Sequence, residues 1–251
     1  MRSLNLIILG TAGAGKTALT QTFGRWLEEN TEQKVAYINL DPGCDSLPFQ
    51  PNFDIRNHFT IERIMQNERL GPNGAMVRAS ELLEEKANEF SKLINKTNAD
   101  IRMIDTPGQM EVFLFHGGKE ITALLDGTTV SLFLFDARIA ARAMGLVFTM
   151  LLGLTIGLRL ETPTISVMNK VDLLQHPAAI DKITRDSEIL EKQILGETTG
   201  LTTDLVLRIS RTLPELLPAS RLVKVSAKTG YGMRELYDIL HEVFCTCGDL
   251  T

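Results

Sequence analysis

Eight residues near the start, Gly10-Thr11-Ala12-Gly13-Ala14-Gly15-Lys16-Thr17, combine types and spacing suited to holding a polyphosphate. Glycines let the backbone turn tightly and bring its N–H groups against phosphate oxygens. The lysine reaches the β- and γ-phosphates, and the final hydroxyl is a ligand for Mg²⁺. Gly13, Ala14, Gly15, Lys16, Thr17 and Ala18 are therefore the expected nucleotide-binding residues of this loop.

Four other segments could complete such a site. In Asp105-Thr106-Pro107-Gly108-Gln109 the carboxylate is placed for Mg²⁺ and Gly108 for sensing a γ-phosphate. Asn169-Lys170-Val171-Asp172 suits a guanine: Asp172 accepts from N1–H and the 2-amino group, Asn169 bonds the other ring edge, and the Lys170 stem lies along the base. Adenine would leave Asp172 facing an acceptor, a mismatch that can cost ~10⁴-fold in discrimination. Ser226-Ala227-Lys228 could lend a backbone N–H to the guanine oxygen. Asp41, in Asn39-Leu40-Asp41-Pro42-Gly43, reads equally as a carboxylate for Mg²⁺-linked water or the nucleophile and as ordinary turn chemistry. The expected metal-side residues are Thr17, Asp41 and Asp105.

These segments need elements to present them. Apolar, β-branched runs recur at Leu4–Leu9, Val35–Leu40, Ile101–Ile104, Val130–Phe135, Thr164–Met168 and Leu222–Val225, with helical periodicity between them. This alternation predicts an α/β fold with a mostly parallel sheet flanked by helices. The glycine-rich loop, Asp-x-x-Gly, Asn-Lys-x-Asp and Ser-Ala-Lys come in that order, each after a candidate strand, as binding at the carboxyl edge of a parallel sheet requires. Leu19, Phe23, Trp26 and Leu27 form one apolar stripe of a first helix that starts at the glycine-rich loop.

One domain over residues 1–251 is expected, with insertions at about 42–100 and about 173–221. The second insertion reads as helical at Ile180–Leu195 and Thr203–Leu213, closed by Pro214 and Pro218. Met144–Leu158 is apolar but shorter than the ~20 residues that span a bilayer, and reads as a buried helix.

With 26 basic against 31 acidic residues, the charge of −5 argues against a dedicated nucleic-acid surface. The opening apolar run leads straight into the glycine-rich loop and reads as a strand, not a signal peptide. Three cysteines, two of them adjacent but one at Cys245-Thr246-Cys247, fit a reducing cytoplasm, and without a second Cys/His pair they do not read as a zinc site.

Gly71-Pro72-Asn73, followed by Gly74-Ala75, together with Asp105-Thr106-Pro107-Gly108-Gln109-Met110-Glu111, resembles the GPN-loop GTPases, and the resemblance covers nearly the whole chain. The ending from Cys245 to Thr251 resembles the archaeal single-type members, which implies an archaeal source. The resemblance implies a P-loop fold of the signal-recognition-particle and MinD-like branch, GTP/GDP and Mg²⁺ as ligands, and a homodimer acting as a switch. Thr11 stands where MinD-like ATPases carry a second lysine. By resemblance Asn73 reaches the partner's γ-phosphate region, and Asp41, Gln109 and Glu111 position water beside Lys16. Arg69 and Arg78 read as solvated charges, so hydrolysis is expected to be slow. Eukaryotic relatives are linked to RNA polymerase assembly, which implies an alternative, an assembly factor whose apolar 144–158 helix and helical insertion receive a protein client. A nucleotide or polynucleotide kinase is a third reading, opposed by Asn169 and Asp172.

Overall fold

In the computed structural model, residues 3–175, 180, 182–184, 186–216 and 222–248 are described, without the side chains of 214–216 and 244–248. The six apolar runs form β1 (Leu4–Gly10), β2 (Val35–Asn39), β4 (Ile101–Asp105), β5 (Thr128–Asp136), β6 (Thr164–Asn169) and β7 (Val223–Lys224). A further strand, β3 (Phe53–Asp54), lies in the 42–100 segment and is too short for any periodicity to announce it. All pairings are parallel, and the order is β3-β2-β4-β1-β5-β6-β7.

Strand alternation divides the core in two. Leu6 and Ile8 of β1 face one side and Ile7 and Leu9 the other, all four buried. Helices α1 (Lys16–Asn30) and α11 (Met233–Gly248) cover the first side. Leu19, Phe23 and Leu27 of α1 are fully buried there, and Trp26 stacks at the edge on Phe23 with ring centroids 6.1 Å apart. A Cβ at Gly24 would lie 2.4 Å from the Tyr37 ring, so glycine is what lets α1 approach β2 this closely.

The other side is covered by the middle of the chain. The 42–100 segment supplies α2 (Ile61–Glu68), α3 (Pro72–Glu85) and α4 (Ala87–Asn95). Ala75, Ala79 and Leu83 bury one stripe of α3, while residues 71–74 at its start face solvent. Next come α5 (Met110–Phe115), α6 (Gly118–Ala123), α7 (Ala137–Ala140) and α8 (Ala143–Leu160). The expectation of a buried helix over 144–158 holds for one face only. Leu146, Val147, Ile156 and Leu160 are in the core, whereas Phe148 is 54% and Leu158 73% exposed.

In the 173–221 segment the expected helix Ile180–Leu195 is broken. Asp186 adopts extended backbone and its carboxylate accepts from the N–H groups of Glu188 and Ile189, starting α9 (Ser187–Glu197) afresh. Helix α10 (Leu201–Leu216) runs two residues past Pro214, so that proline does not close it as expected. Pro218 and the side chains of Cys245 and Cys247 lie outside the described residues. Glu197 ties the segment to the core: its carboxylate accepts from the N–H groups of Ala143 (2.9 Å) and Met144 (3.1 Å), capping α8 from 54 residues away.

Candidate nucleotide-binding site

Because every strand runs the same way, all strand ends that carry candidate chemistry open on one edge. Gly10 ends β1, Asn39 ends β2, Asp105 ends β4, Asp136 ends β5 and Asn169 ends β6. The central strand β1 lies between β4 and β5, and the glycine-rich loop follows it.

The loop is shaped by left-handed backbone at Gly13 (φ +73°) and Gly15 (φ +96°). A Cβ on Gly15 would stand 2.5 Å from Asn169 Nδ2, so the base motif sits directly against the phosphate loop. Helix α1 begins at Lys16 with no side-chain cap, leaving its first N–H groups and positive dipole end to the loop. Lys16 Nζ donates to Gly10 O at 3.0 Å and to Gly108 O at 3.4 Å. Burial lowers its pKa, against the opposing charges of Asp105, Asp41 and Glu111. Thr17 is half-buried and the adjacent Ala18 is exposed.

Asp105 is 1% exposed, and neither carboxylate oxygen has a hydrogen-bond partner of good geometry. Burial pushes its pKa up to about 7, although the nearby Thr17 hydroxyl and Lys16 pull it down. Asp41 is raised too, again by burial, with its Oδ1 accepting from Gly43 N–H at 2.9 Å. An orphaned buried carboxylate beside a hydroxyl and a second acid is a donor set for a hard, oxygen-seeking cation. Among the described residues no cluster of three or more His, Cys, Asp or Glu could hold a metal unaided. Phosphate oxygens and water would have to complete the shell around Thr17, Asp41 and Asp105, which is the habit of Mg²⁺.

Downstream of Asp105, a Cβ at Gly108 would meet nothing within 4 Å, so packing does not require that glycine in this state. Gln109 stands at the N-cap of α5 without a side-chain cap bond, and Glu111 is exposed in its first turn.

Asn169 joins two motifs. Its Nδ2 donates to Ala14 O (2.8 Å) and its Oδ1 accepts from Ala227 N–H (3.0 Å). The expectation that Ser226-Ala227-Lys228 offers a backbone N–H to the base is therefore not met by Ala227 in this state. Ser226 acts through its side chain: its Oγ donates to Asp172 Oδ1 at 2.6 Å and accepts from Thr229 N–H at 3.2 Å, holding the carboxylate expected to read guanine. Lys228 is exposed in the adjoining turn. Lys170, at φ +66°, donates to Gly13 O (2.6 Å) and Asp136 Oδ2 (3.1 Å).

Asp136 escaped the sequence reading, though it ends an apolar run just as Asp105 does. Arg138 first and Lys170 second hold its pKa well below the usual carboxylate range. Asn73 is not brought to this site within the chain. It occupies the exposed first turn of α3 and makes no side-chain hydrogen bond among the described residues. Arg78 is taken up by Glu68, Glu81 and Glu85, in keeping with a solvated charge.

A sequence profile of a family described as "conserved hypothetical ATP binding protein" matches residues 8–246. A GPN-loop GTPase of Pyrococcus abyssi is 40% identical over 98% of this chain and 99% of its own length. A crystal structure described as an apo-form GTPase from that organism superposes with a TM-score of 0.89 at 37% identity, covering 97% of this chain and 98% of the other. GPN-loop GTPase 1 of Saccharomyces cerevisiae is 32% identical over 92% of this chain, which spans 63% of that longer protein. The profile's wording says ATP and the relatives' names say GTP. The motif Asn169-Lys170-Val171-Asp172, expected to suit guanine, agrees with the latter.

Two measurements follow from this geometry. Exchanging the carboxylate in Asp172→Asn should weaken GTP binding by on the order of a hundredfold and favour xanthosine triphosphate, whose 2-oxo group accepts from an amide, in competition against a labelled nucleotide. In the ligand-free protein Asp105 keeps a proton that the unfolded chain releases near its ordinary pKa of about 4. Its contribution to stability is complete below that pH and is lost as pH rises through about 7. Urea midpoints at pH 5 and pH 8 should thus fall more for the wild type than for Asp105→Asn. A chain matched from end to end by an archaeal GPN-loop GTPase, in sequence and in fold, belongs to that family and is itself a GTPase.

Proposed function

We propose that the protein is a Mg²⁺-dependent GTPase that works as a homodimeric switch, in which Gly71-Pro72-Asn73 of one subunit completes the active site of the other. The observation that carries this reading is the placement of Asn73. It is presented to solvent at the uncapped N-terminus of a 14-residue helix, with no acidic residue in the first turn and no side-chain hydrogen bond among the described residues. Such an end favours negative charge. Pro72 also lines a groove of about 630 Å³ with Pro42, Gly43 and Asp45, beside the Asp41 loop, so a second subunit approaching there meets the γ-phosphate side of the site.

In the reaction, water attacks the γ-phosphorus, the bond to the β–γ bridging oxygen breaks, and GDP and phosphate leave. Bound Mg²⁺ would neutralise β- and γ-phosphate charge, held through Thr17, Asp41 and Asp105. Lys16 exchanges its two carbonyl partners for phosphate oxygens. Gln109, Glu111 or Asp41 accepts a hydrogen bond from the attacking water, and Asn73 of the partner subunit donates to the γ-phosphate as charge builds up. Asn73→Ala should lower kcat by roughly ten- to a hundredfold while GDP affinity stays within about twofold. Unchanged turnover in single-turnover assays would remove the role.

A second reading, an assembly factor for a multisubunit complex such as RNA polymerase with hydrolysis timing client release, is favoured by the outer face of α8. Phe148 and Leu158 there, and Phe115 beside it, are exposed apolar side chains that the core does not use. Phe148→Asp should then abolish co-purification of a client and leave basal GTP hydrolysis within about twofold, since the side chain is exposed and is none of the residues expected at the nucleotide site.

A further inference from the structure

The loop that follows β2 carries Asp41, and what holds that loop lies outside every recognised motif. Asn39 fixes its root: Asn39 Oδ1 accepts from Asp41 N–H at 3.0 Å, and Asn39 Nδ2 donates to Asp41 O at 3.2 Å and to Asp54 Oδ1 at 2.9 Å. Pro42 O accepts from Ile61 N–H at 3.2 Å. Beyond Pro42 the turn is exposed at Gly43 and Asp45, and the carbonyls of Cys44 and Asp45 are held by Arg56 Nη1 at 3.1 and 3.3 Å.

Arg56 is itself immobilised. Its Nε and Nη2 form a fork on Asp54, with bonds of 3.0 Å to Oδ1 and 2.7 Å to Oδ2. The Asp54 side chain is nearly buried, and β3 pairs Asp54 with Asn39, at the edge of the sheet from which the Asp41 loop departs. This gives the two-residue strand a purpose: it brings a carboxylate to the loop, and the carboxylate aims a guanidinium at two backbone oxygens. A lysine could not do the same. Its point charge lacks the planar fork needed to satisfy Asp54 along one edge and two carbonyls from the far nitrogen.

We propose that Arg56, oriented by Asp54, is a positioning residue for hydrolysis that holds the Asp41 loop in register with Lys16 and Asp105. It acts on the loop's backbone and touches neither nucleotide nor water. The inference rests on the reading of Asp41 as an acid of the γ-phosphate side, and it goes beyond that reading by naming what keeps Asp41 there. Asn39 and Ile61 hold the root of the loop, and Arg56 holds its far side.

The test compares Arg56→Lys, which keeps the charge, with the wild type and with Asp41→Asn in the full chain, after thermal unfolding has verified that each folds. Three quantities are read: single-turnover GTP hydrolysis, GDP affinity, and hydrogen exchange of the amides from Gly43 to Asp45. The expected result for Arg56→Lys is faster exchange across the loop, hydrolysis slower by roughly ten- to a hundredfold, and GDP affinity within about twofold of wild type. Asp54→Asn should give the same pattern more weakly, because the fork then lacks its charged partner. Normal exchange in Arg56→Lys, or loosened exchange with normal hydrolysis, overturns the proposal, as does a loss of GDP affinity equal to the loss in rate. Full turnover by Asp41→Asn is a separate failure, that of the Asp41 reading, whichever way the exchange data fall.

Discussion

Asn169 is the joint on which the site depends. One primary amide binds Ala14 O of the phosphate loop with its nitrogen and Ala227 N–H of the last motif with its oxygen. Gly15 must lack a side chain for this amide to fit, and the adjacent Lys170 reaches Gly13 O. The phosphate end and the base end are therefore parts of one hydrogen-bonded unit, supported from below by the parallel strands β1, β5 and β6. A nucleotide entering such a site meets both ends already spaced, so less ordering entropy is lost on binding.

The other half of the site is electrically unsettled without a ligand. Burial works against every charge at the mouth of β1, lowering the Lys16 pKa and raising those of Asp41 and Asp105. Lys16 falls back on carbonyl oxygens, and neither Asp105 oxygen has a hydrogen bond of good geometry. The base half shows the opposite condition: Asp136 and Asp172 are each matched by neighbouring donors. The motif expected to read the base is thus held by the protein itself, whereas the phosphate and metal half is left with needs that a polyphosphate and a cation would meet together.

What could be read from the sequence tracks how local each signal is. Six strands follow from contiguous apolar runs, and the glycine-rich loop and Asn-Lys-x-Asp carry their chemistry in eight and four adjacent residues. The pairing of Lys170 with Asp136 joins positions 34 apart and depends on β5 and β6 being neighbours, which no short window contains. Strand β3 is two residues long and exists through its pairing with β2, so Arg56 and Asp54 had no pattern to betray them. Asp186 was lost for another reason: apolar periodicity continued through it, while its own capping chemistry started a new helix. The half-exposed face of α8 illustrates the limit of composition, which measures how apolar a helix is and not which of its sides meets the core.

The arrangement of β1 also governs how the chain can fold as it is made. Leu4 is in register with Ile101 on one side and Thr128 on the other, so the central strand, which ends at Gly10, has no sheet neighbour until the chain has been made as far as Ile101–Asp105. At ~5–20 residues per second that wait lasts about ten seconds, with apolar Leu6 to Leu9 and both strand edges unpaired. The α1 helix, which follows at once and buries Leu19, Phe23 and Leu27 against the face of Leu6 and Ile8, is the one nearby element able to shield that face in the interval. The first thirty residues then emerge as a strand–helix hairpin whose glycine-rich bend serves the nascent chain as a turn before it serves a nucleotide.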